Sequence, residues 1–273
     1  MDGTVLVICV ICTITCVIGI SLHAITIYFL KQSTSSEIHQ KTFLLNFCSL
    51  EIAVLVMVQV TLYAGIAKFK AYAMLVMYGI AWPWVHLLVV LTVDRFLRVY
   101  LSIKYDVVVT ERMKKLVLFG CYLTGIILIV FIILIHVLHS PHSSSEIIRT
   151  IVYPVHGVLV MMSMLVTYVY IGYKMYSNRR NVDQQENGIT IRQHLNHFIP
   201  LLVVLSHFLF AILPNIFWSF HASTLRKDHR SALLRLLWTL NFTVDAVICI
   251  VFNPRIRTKF WRGIRCSRIS SDG

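Results

Sequence analysis

Charged residues are scarce in this sequence. Of its 273 residues only 14% are Asp, Glu, Lys or Arg, whereas 58% are hydrophobic, and the mean hydropathy is +0.76. A soluble domain carries roughly 25% charged residues. The apolar residues also lack the polar face that recurs at every turn of a helix in a soluble core. These two shortages exclude a soluble globular domain and indicate an integral membrane protein.

The apolar residues form seven blocks, each long enough to cross a bilayer as a helix, which takes about 20 residues. The predicted spans are 4–30, 42–63, 72–97, 115–137, 151–173, 198–220 and 233–252. We find no internal repeat and no second domain. We therefore predict an all-α membrane protein, with a seven-transmembrane helix bundle over residues 1–253. A short cytoplasmic amphipathic helix and tail are predicted over 254–273.

The N-terminal end lacks Lys and Arg altogether over residues 1–30. It also lacks a small-residue cleavage site that stands out, so we expect a retained helix and not a signal peptide. Placing the C-terminus in the cytoplasm puts 18 of the 25 Lys and Arg on the cytoplasmic side and seven on the other. The positive-inside rule then predicts a multi-pass plasma-membrane protein with its N-terminus outside. The net charge of +13 needs no nucleic-acid partner.

The predicted outer loops contain none of the seven cysteines. Six cysteines lie within predicted spans, where Cys behaves as a small apolar residue. We therefore predict that the outer face has no disulfide. Cys266 differs because it follows a basic segment just past the last span, and we predict that it is acylated.

An acid and a base stand side by side at the inner end of the third span. Ionisable groups at membrane depth are functional candidates by default, although a pair of anchoring charges would also fit. Asp94-Arg95-Phe96, followed by a run that ends at Tyr105, resembles the Asp-Arg-Tyr motif and second inner loop of rhodopsin-like G-protein-coupled receptors. Phe96 replaces the Tyr of that motif, and Ser102 replaces a Pro.

Two further spans strengthen the resemblance. In the second span, Asn46 and Glu51 stand where the family has Asn and a deep Asp. In the sixth span, Phe208 and Pro214 match the family's Phe and Pro at the same spacing of six. A proline inside a helix removes one backbone hydrogen bond and bends the helix.

The seventh span allows two alignments with the family's Asn-Pro-x-x-Tyr motif. Asn253 and Pro254 give a literal match, but the run that follows them is basic. We prefer the alignment eight residues earlier, in which Asn241 and Asp245 match and the motif's Pro and Tyr are absent. Residues from Pro254 onward then correspond to the amphipathic helix at the inner membrane face.

The resemblance implies a cell-surface receptor that couples an extracellular or membrane-borne ligand to a heterotrimeric G protein. It implies no enzymatic activity and no cofactor, and its partners are the G protein, an unidentified ligand and the lipid bilayer. The residues assigned to G-protein coupling are Asp94, Arg95, Phe96 and Tyr168. The acid of this set would hold Arg95 in the resting state. The residues assigned to a polar switch network are His23, Glu51, Asn241 and Asp245.

The ligand itself cannot be read from the sequence, but two classes are disfavoured. The seventh span has no Lys to form a Schiff base with retinal, and Thr239 occupies the corresponding position. Met77 stands where amine receptors have an Asp. An apolar pocket with little charge is expected. Its candidate residues are Met77, Ala81, Phe208, Ile212, Asn215 and Trp238.

Other readings remain open at this point. A non-signalling or degraded relative of the family is the leading one, because the seventh-span motif is incomplete. An unrelated transporter would show internal repeats or paired broken helices, which we do not find. A membrane metalloenzyme would need converging ligands, but the two histidine groups fall at opposite ends of the bundle. These groups are His136, His139 and His142 on one side, and His194 and His197 on the other.

Overall fold

All regular elements in the part of the chain that the structure describes are helices. This computed structural model describes residues 3–33, 41–63, 67–101, 104–138, 153–182, 199–214, 217, 227–253 and 256–262. The first five helices are α1 (Gly3–Gln32), α2 (Lys41–Tyr63), α3 (Ala67–Leu101), α4 (Tyr105–Val108) and α5 (Glu111–Leu138). The others are α6 (Tyr153–Val182), α7 (Ile199–His207), α8 (Lys227–Phe252) and α9 (256–262).

Five described segments are long and apolar enough to cross a membrane. They lie in α1, α2, α5, α6 and α8 and comprise Gly3–Gln32, Lys41–Tyr63, Glu111–Phe131, Gly157–Lys174 and Ser231–Phe252. The prediction of an all-helical membrane protein is therefore confirmed for the described residues. Helices α3 and α7 occupy the two remaining intervals that were predicted to span the bilayer.

The outer surface of the bundle is apolar. Helix α1 exposes Val7 and Val17, and α5 exposes Val130 and Phe131, each by more than half of its surface. A contiguous apolar surface of this kind is unfavourable in water and favourable in hydrocarbon. Lipid is therefore the solvent that suits the outward faces of these helices.

Helices α1 and α8 lie side by side and run in the same direction. Their first turns meet at Val5 and Ala232, and further along Cys12 Sγ lies 3.2 Å from Thr239 Oγ1. The two backbones approach closely at Gly19, where an added Cβ would lie 2.6 Å from Thr243 Oγ1. Helix α2 runs antiparallel to α1, so that the Cys16 thiol donates to the Leu55 carbonyl over 3.4 Å.

Prolines lie within or beside two of the helices. Helix α3 contains Pro83, which packs against α5 at Gly125. Helix α7 continues as a π-helical turn over Phe208–Ile212, directly before Pro214. Proline cannot donate a backbone hydrogen bond, and wide π turns are one way in which a helix accommodates the lost bond.

The junction between α8 and α9 is formed by Asn253. Its side-chain oxygen accepts from the backbone N–H of Ile256 over 3.3 Å, and its carbonyl accepts from the N–H of Arg257 over 2.9 Å. Asn253 thus caps the start of α9. The buried side chain of Ile256 holds α9 against the bundle, while Trp261 remains more than half exposed.

Candidate functional site

Polar side chains from four helices meet in the middle of the bundle. We call this set the central polar cluster. It comprises His23 of α1, Glu51 of α2, Ser206 and His207 of α7, and Asn241 and Asp245 of α8, and all six side chains are buried. The four residues that the sequence predicts as a polar network are therefore brought together, although they come from distant parts of the chain.

Glu51 lies at the centre of this cluster and is completely buried. Trp84 of α3 donates its Nε1–H to Glu51 Oε1 over 3.1 Å. His23 Nε2 lies 3.0 Å from Glu51 Oε2 and 2.9 Å from the Phe242 carbonyl oxygen. Because one Nε2–H can point well at only one acceptor, we assign the hydrogen bond to the Phe242 carbonyl.

Asp245 is the second buried acid of the cluster. Its Oδ1 accepts from the Ser206 hydroxyl over 2.6 Å, and its Oδ2 lies 3.4 Å from Asn241 Nδ2. The carboxyl groups of Glu51 and Asp245 also contact each other. Two acids and two imidazoles thus share a space from which water is largely excluded, and this arrangement couples the positions of α1, α2, α7 and α8.

Three atoms of the central polar cluster have no hydrogen-bond partner within the described residues. They are Nδ1 of His23, Oε2 of Glu51 and Oδ1 of Asn241, all on completely buried side chains. Buried polar atoms are nearly always paired, and the exceptions concentrate where a structure stores strain or changes state. The cluster is therefore a candidate for an element that exchanges hydrogen-bond partners.

Trp84 forms the wall between the central polar cluster and α3. Its ring stacks on Phe47 with centroids 5.9 Å apart, and it lies 4.6 Å from the ring of His207. Sequence reasoning did not connect Ser206 or His207 with the acids. The available signal was a hydroxyl and an imidazole adjacent to each other within an otherwise apolar span.

A second polar group lies at the C-terminal end of α3, and we call it the inner cluster. It comprises Asp94, Arg98 and Tyr105. Asp94 accepts a short hydrogen bond from the Tyr105 hydroxyl, and it pairs with Arg98 Nε at 3.3 Å. The guanidinium of Arg98 also lies over the Tyr105 ring, 3.9 Å from its centroid. These contacts attach α4 to the end of α3.

The inner cluster keeps the Tyr105 phenol protonated. Burial raises the pKa of Tyr105 above its ordinary value, and the hydrogen bond to Asp94 raises it further. Tyr105 is therefore a permanent donor to Asp94 at any physiological pH. The sequence pointed to Asp94, but the role of Arg98, one turn away on the same face of α3, was missed.

The remaining residues that were assigned to coupling lie near this end of α3. Arg95 is close enough to Tyr168 and Asp94 for electrostatic interaction with both. Tyr168 of α6 is buried. The ring of Phe96 lies 5.4 Å from that of Tyr170. The holding of Arg95 by Asp94 stays a prediction, whereas Arg98 and Tyr105 share the Asp94 carboxylate.

The residues predicted to contact a ligand are only partly described. Met77 and Trp238 are buried, and Trp238 packs edge-on against Phe242 at 6.4 Å. Phe208 is half-buried in the π-helical turn. Ala81 and Ile212 lie in helices, but their side chains are outside the described set. Asn215 and the predicted acylation site Cys266 lie outside the described residues.

Neither a metal centre nor a disulfide is formed by the described side chains. No group of three or more His, Cys, Asp or Glu among them could hold a metal ion. The six cysteines in the described helices carry free, buried thiols. Most of the histidines considered from sequence as metal ligands, His139, His142, His194 and His197, lie outside the described residues.

Comparison of the sequence with protein-family models gives no match, and comparison with curated proteins gives no significant one. The function of the chain must therefore be inferred from its own residues and from the two polar clusters that the fold assembles.

Proposed function

We propose that this protein is a seven-span receptor of the rhodopsin-like type, which couples a ligand on its outer side to a heterotrimeric G protein on its inner side. The observation that carries the proposal is the central polar cluster. Glu51, Asn241 and Asp245 were singled out on two separate spans by their resemblance to one family. In the fold they lie in direct contact with one another, beside His23.

The proposed topology has all seven long helices crossing the bilayer, with the N-terminus outside. The alternating directions of the helices support it: α2 is antiparallel to α1, and α8 is parallel to α1. Helix α7 is antiparallel to α8, because Ser206 meets Asp245 while the later residue His207 meets the earlier Asn241. An odd number of spans leaves the two termini on opposite sides of the membrane.

The proposed coupling site is the inner end of α3. Arg95 is placed there beside Asp94, and α4 is held alongside by the inner cluster. A charged group that changes partners between two helix arrangements is one form of two-state switch. In the proposed mechanism a ligand biases the bundle through the central polar cluster, and the G protein biases it through Arg95.

The test is basal second-messenger signalling in cells that express Arg95→Ala. We expect this variant to lose coupling while reaching the cell surface in normal amounts. Arg112→Ala is the matched control, because Arg112 is exposed on α5 at the same end of the bundle. If wild type and Arg95→Ala signal equally at equal surface levels, the proposal is wrong, and a non-signalling relative becomes the better description.

A further inference from the structure

An arginine lies inside the apolar part of α8, and none of the described side chains beside it is an acid. Arg235 is within the membrane-compatible segment Ser231–Phe252, one turn from its start. Among the described side chains, Arg98 pairs with Asp94 and Lys114 pairs with Glu111. Arg235 belongs to neither pair. A guanidinium at this depth is costly unless an anion or strong hydrogen-bond acceptors neutralise it.

The position of Arg235 on α8 directs it into the bundle. Ala232, Trp238, Thr239 and Phe242 are all buried, and Arg235 shares their stripe at helical spacing. The side chain is near Cys9 and Cys12, which lie on the buried face of α1. The lipid-facing side of α1 is formed by other residues. The side chain of Arg235 is half-buried, and it lies on the side of α8 that faces α1.

Neutral hydrogen-bonding groups surround this region. The Thr13 hydroxyl donates to Gln59 Oε1 over 3.2 Å and lies 2.7 Å from the Tyr63 hydroxyl. Gln59 Nε2 points to Cys12 Sγ at 3.9 Å, and Cys12 in turn contacts Thr239. The amide, hydroxyl and guanidinium groups supply several donors, whereas none of these side chains carries a negative charge.

We infer that Arg235 is the anchor of a ligand site, and that the ligand is a small molecule with a carboxylate or phosphate group next to an apolar body. The planar guanidinium binds such groups in a bidentate manner. Trp238, one turn further into the bundle, offers the apolar contact. This inference rests on the proposed receptor function, because it places the site at the end of the bundle that is proposed to face outside. It adds one charged group to the apolar pocket with little charge that is expected from the sequence.

Binding can be measured on the purified full-length protein in phosphatidylcholine nanodiscs by thermal unfolding. A ligand that binds only the folded state raises the midpoint as its concentration rises. The probes are benzoate and phenyl phosphate, with benzamide as the uncharged counterpart. We expect at least one anion to raise the wild-type midpoint and benzamide to leave it unchanged. Arg235→Gln should raise the anion concentration needed for a given midpoint shift by at least about tenfold, since charged hydrogen bonds are lost.

Two further variants separate a ligand site from a structural role. Arg235→Met should unfold at a higher midpoint than the wild type in the absence of anions, because an uncompensated charge is removed. Arg235→Lys should retain part of the anion response. Arg112→Gln is the control and should behave as the wild type. A strong loss of stability in Arg235→Met would overturn the inference, since it would mean that the arginine has a partner within the chain.

The inference would be overturned if the anion that neutralises Arg235 came from either of two other sources. The first is lipid: nanodiscs that contain phosphatidylserine would raise the wild-type midpoint, whereas neither soluble anion would. The second is an acid of this chain whose side chain is not described, namely Asp2, Glu146 or Asp228. Replacement of that acid by its amide would then lower the stability of the wild type but not that of a variant without Arg235. The measurement requires no G protein, so its result is independent of whether Arg95 supports signalling.

Discussion

Glu51 is the residue on which the central polar cluster depends. It is fully buried and contacts His23, Trp84 and Asp245. In a buried site, removal of one partner leaves the others without compensation, whereas a neutral group of the same shape can be tolerated. The shape and the acceptor oxygen of Glu51 should therefore matter more to folding than its charge.

We predict that Glu51→Gln changes the free energy of unfolding by less than about 1 kcal/mol, because an acceptor for Trp84 is kept and the repulsion between two acids is relieved. Glu51→Ala should cost about 3 kcal/mol, since it creates a cavity and leaves Trp84 Nε1 without its acceptor. Chemical denaturation of both purified variants measures the difference. Equal losses in the two variants would show that the carboxylate charge itself holds the cluster.

The inner cluster gives a second prediction for single residues. Tyr105→Phe removes the hydroxyl that donates to Asp94 but keeps the ring beneath Arg98. We expect a loss of about 1 kcal/mol in stability, the typical net contribution of one hydrogen bond. We also expect a rise in basal signalling, because α4 and Asp94 are less firmly held.

The matched control for Tyr105→Phe is Tyr100→Phe, because the Tyr100 side chain is exposed by 61%. A double-mutant cycle of Tyr105→Phe with Arg98→Gln measures their coupling. A coupling energy near zero would contradict the description of Asp94, Arg98 and Tyr105 as one unit.

The sequence identified the members of both clusters better than it identified their contacts. His23, Glu51, Asn241 and Asp245 were predicted to act together because they stand at positions that the resemblance assigns to a polar switch network. Ser206, His207 and Arg98 were not assigned to the clusters, because a partner depends on how each helix is rotated about its axis. That rotation is set by packing against several neighbours and leaves no local signal in the sequence.

At the level of helices, the packing of α3 on α5 depends on the absence of a side chain at Gly125. An added Cβ there would lie 2.7 Å from the Gly79 carbonyl oxygen and would also meet the ring of Pro83. Backbone atoms and a proline ring cannot move aside as a flexible side chain can. The two helices would have to separate to accept even a methyl group.

We predict that Gly125→Ala destabilises the protein by about 1–3 kcal/mol, the usual cost of overpacking. Gly120→Ala is the control on the same helix, because nothing lies within 4 Å of the Cβ that it would add. This control should be neutral or slightly stabilising, since alanine favours helix more than glycine does. Thermal unfolding in nanodiscs compares the two, and equal midpoints would contradict the described contact.

Long helices were predictable because their apolar runs are continuous, whereas short or irregular elements were not. Helix α1 was predicted over 4–30 and is observed over Gly3–Gln32. Helix α4 has only four residues, and the π-helical turn Phe208–Ile212 has no distinctive composition. Helix α4 is held by a tertiary contact, the hydrogen bond from Tyr105 to Asp94, which a reading of local periodicity does not contain.

At the scale of the whole molecule, the distribution of Lys and Arg predicts the orientation in the membrane. An epitope tag before Met1 should be stained on intact cells, and a tag after Gly273 only after permeabilisation. The two tagged proteins serve as controls for each other, because a leaky membrane would expose both. Staining of the C-terminal tag alone on intact cells would contradict the proposed topology.

The central claim is that the inner end of α3 activates a heterotrimeric G protein, and nucleotide exchange on purified G proteins measures this most directly. The receptor is placed in nanodiscs without ligand, and GTP uptake is followed for a panel of Gα subunits. We predict measurable exchange with the wild type and none with Arg95→Ala. Asp94→Asn should raise the rate of GTP uptake about threefold, because the loss of one ion pair as weak as those at protein surfaces is worth roughly 0.7 kcal/mol. No exchange with any Gα by folded wild type and Asp94→Asn would contradict the account.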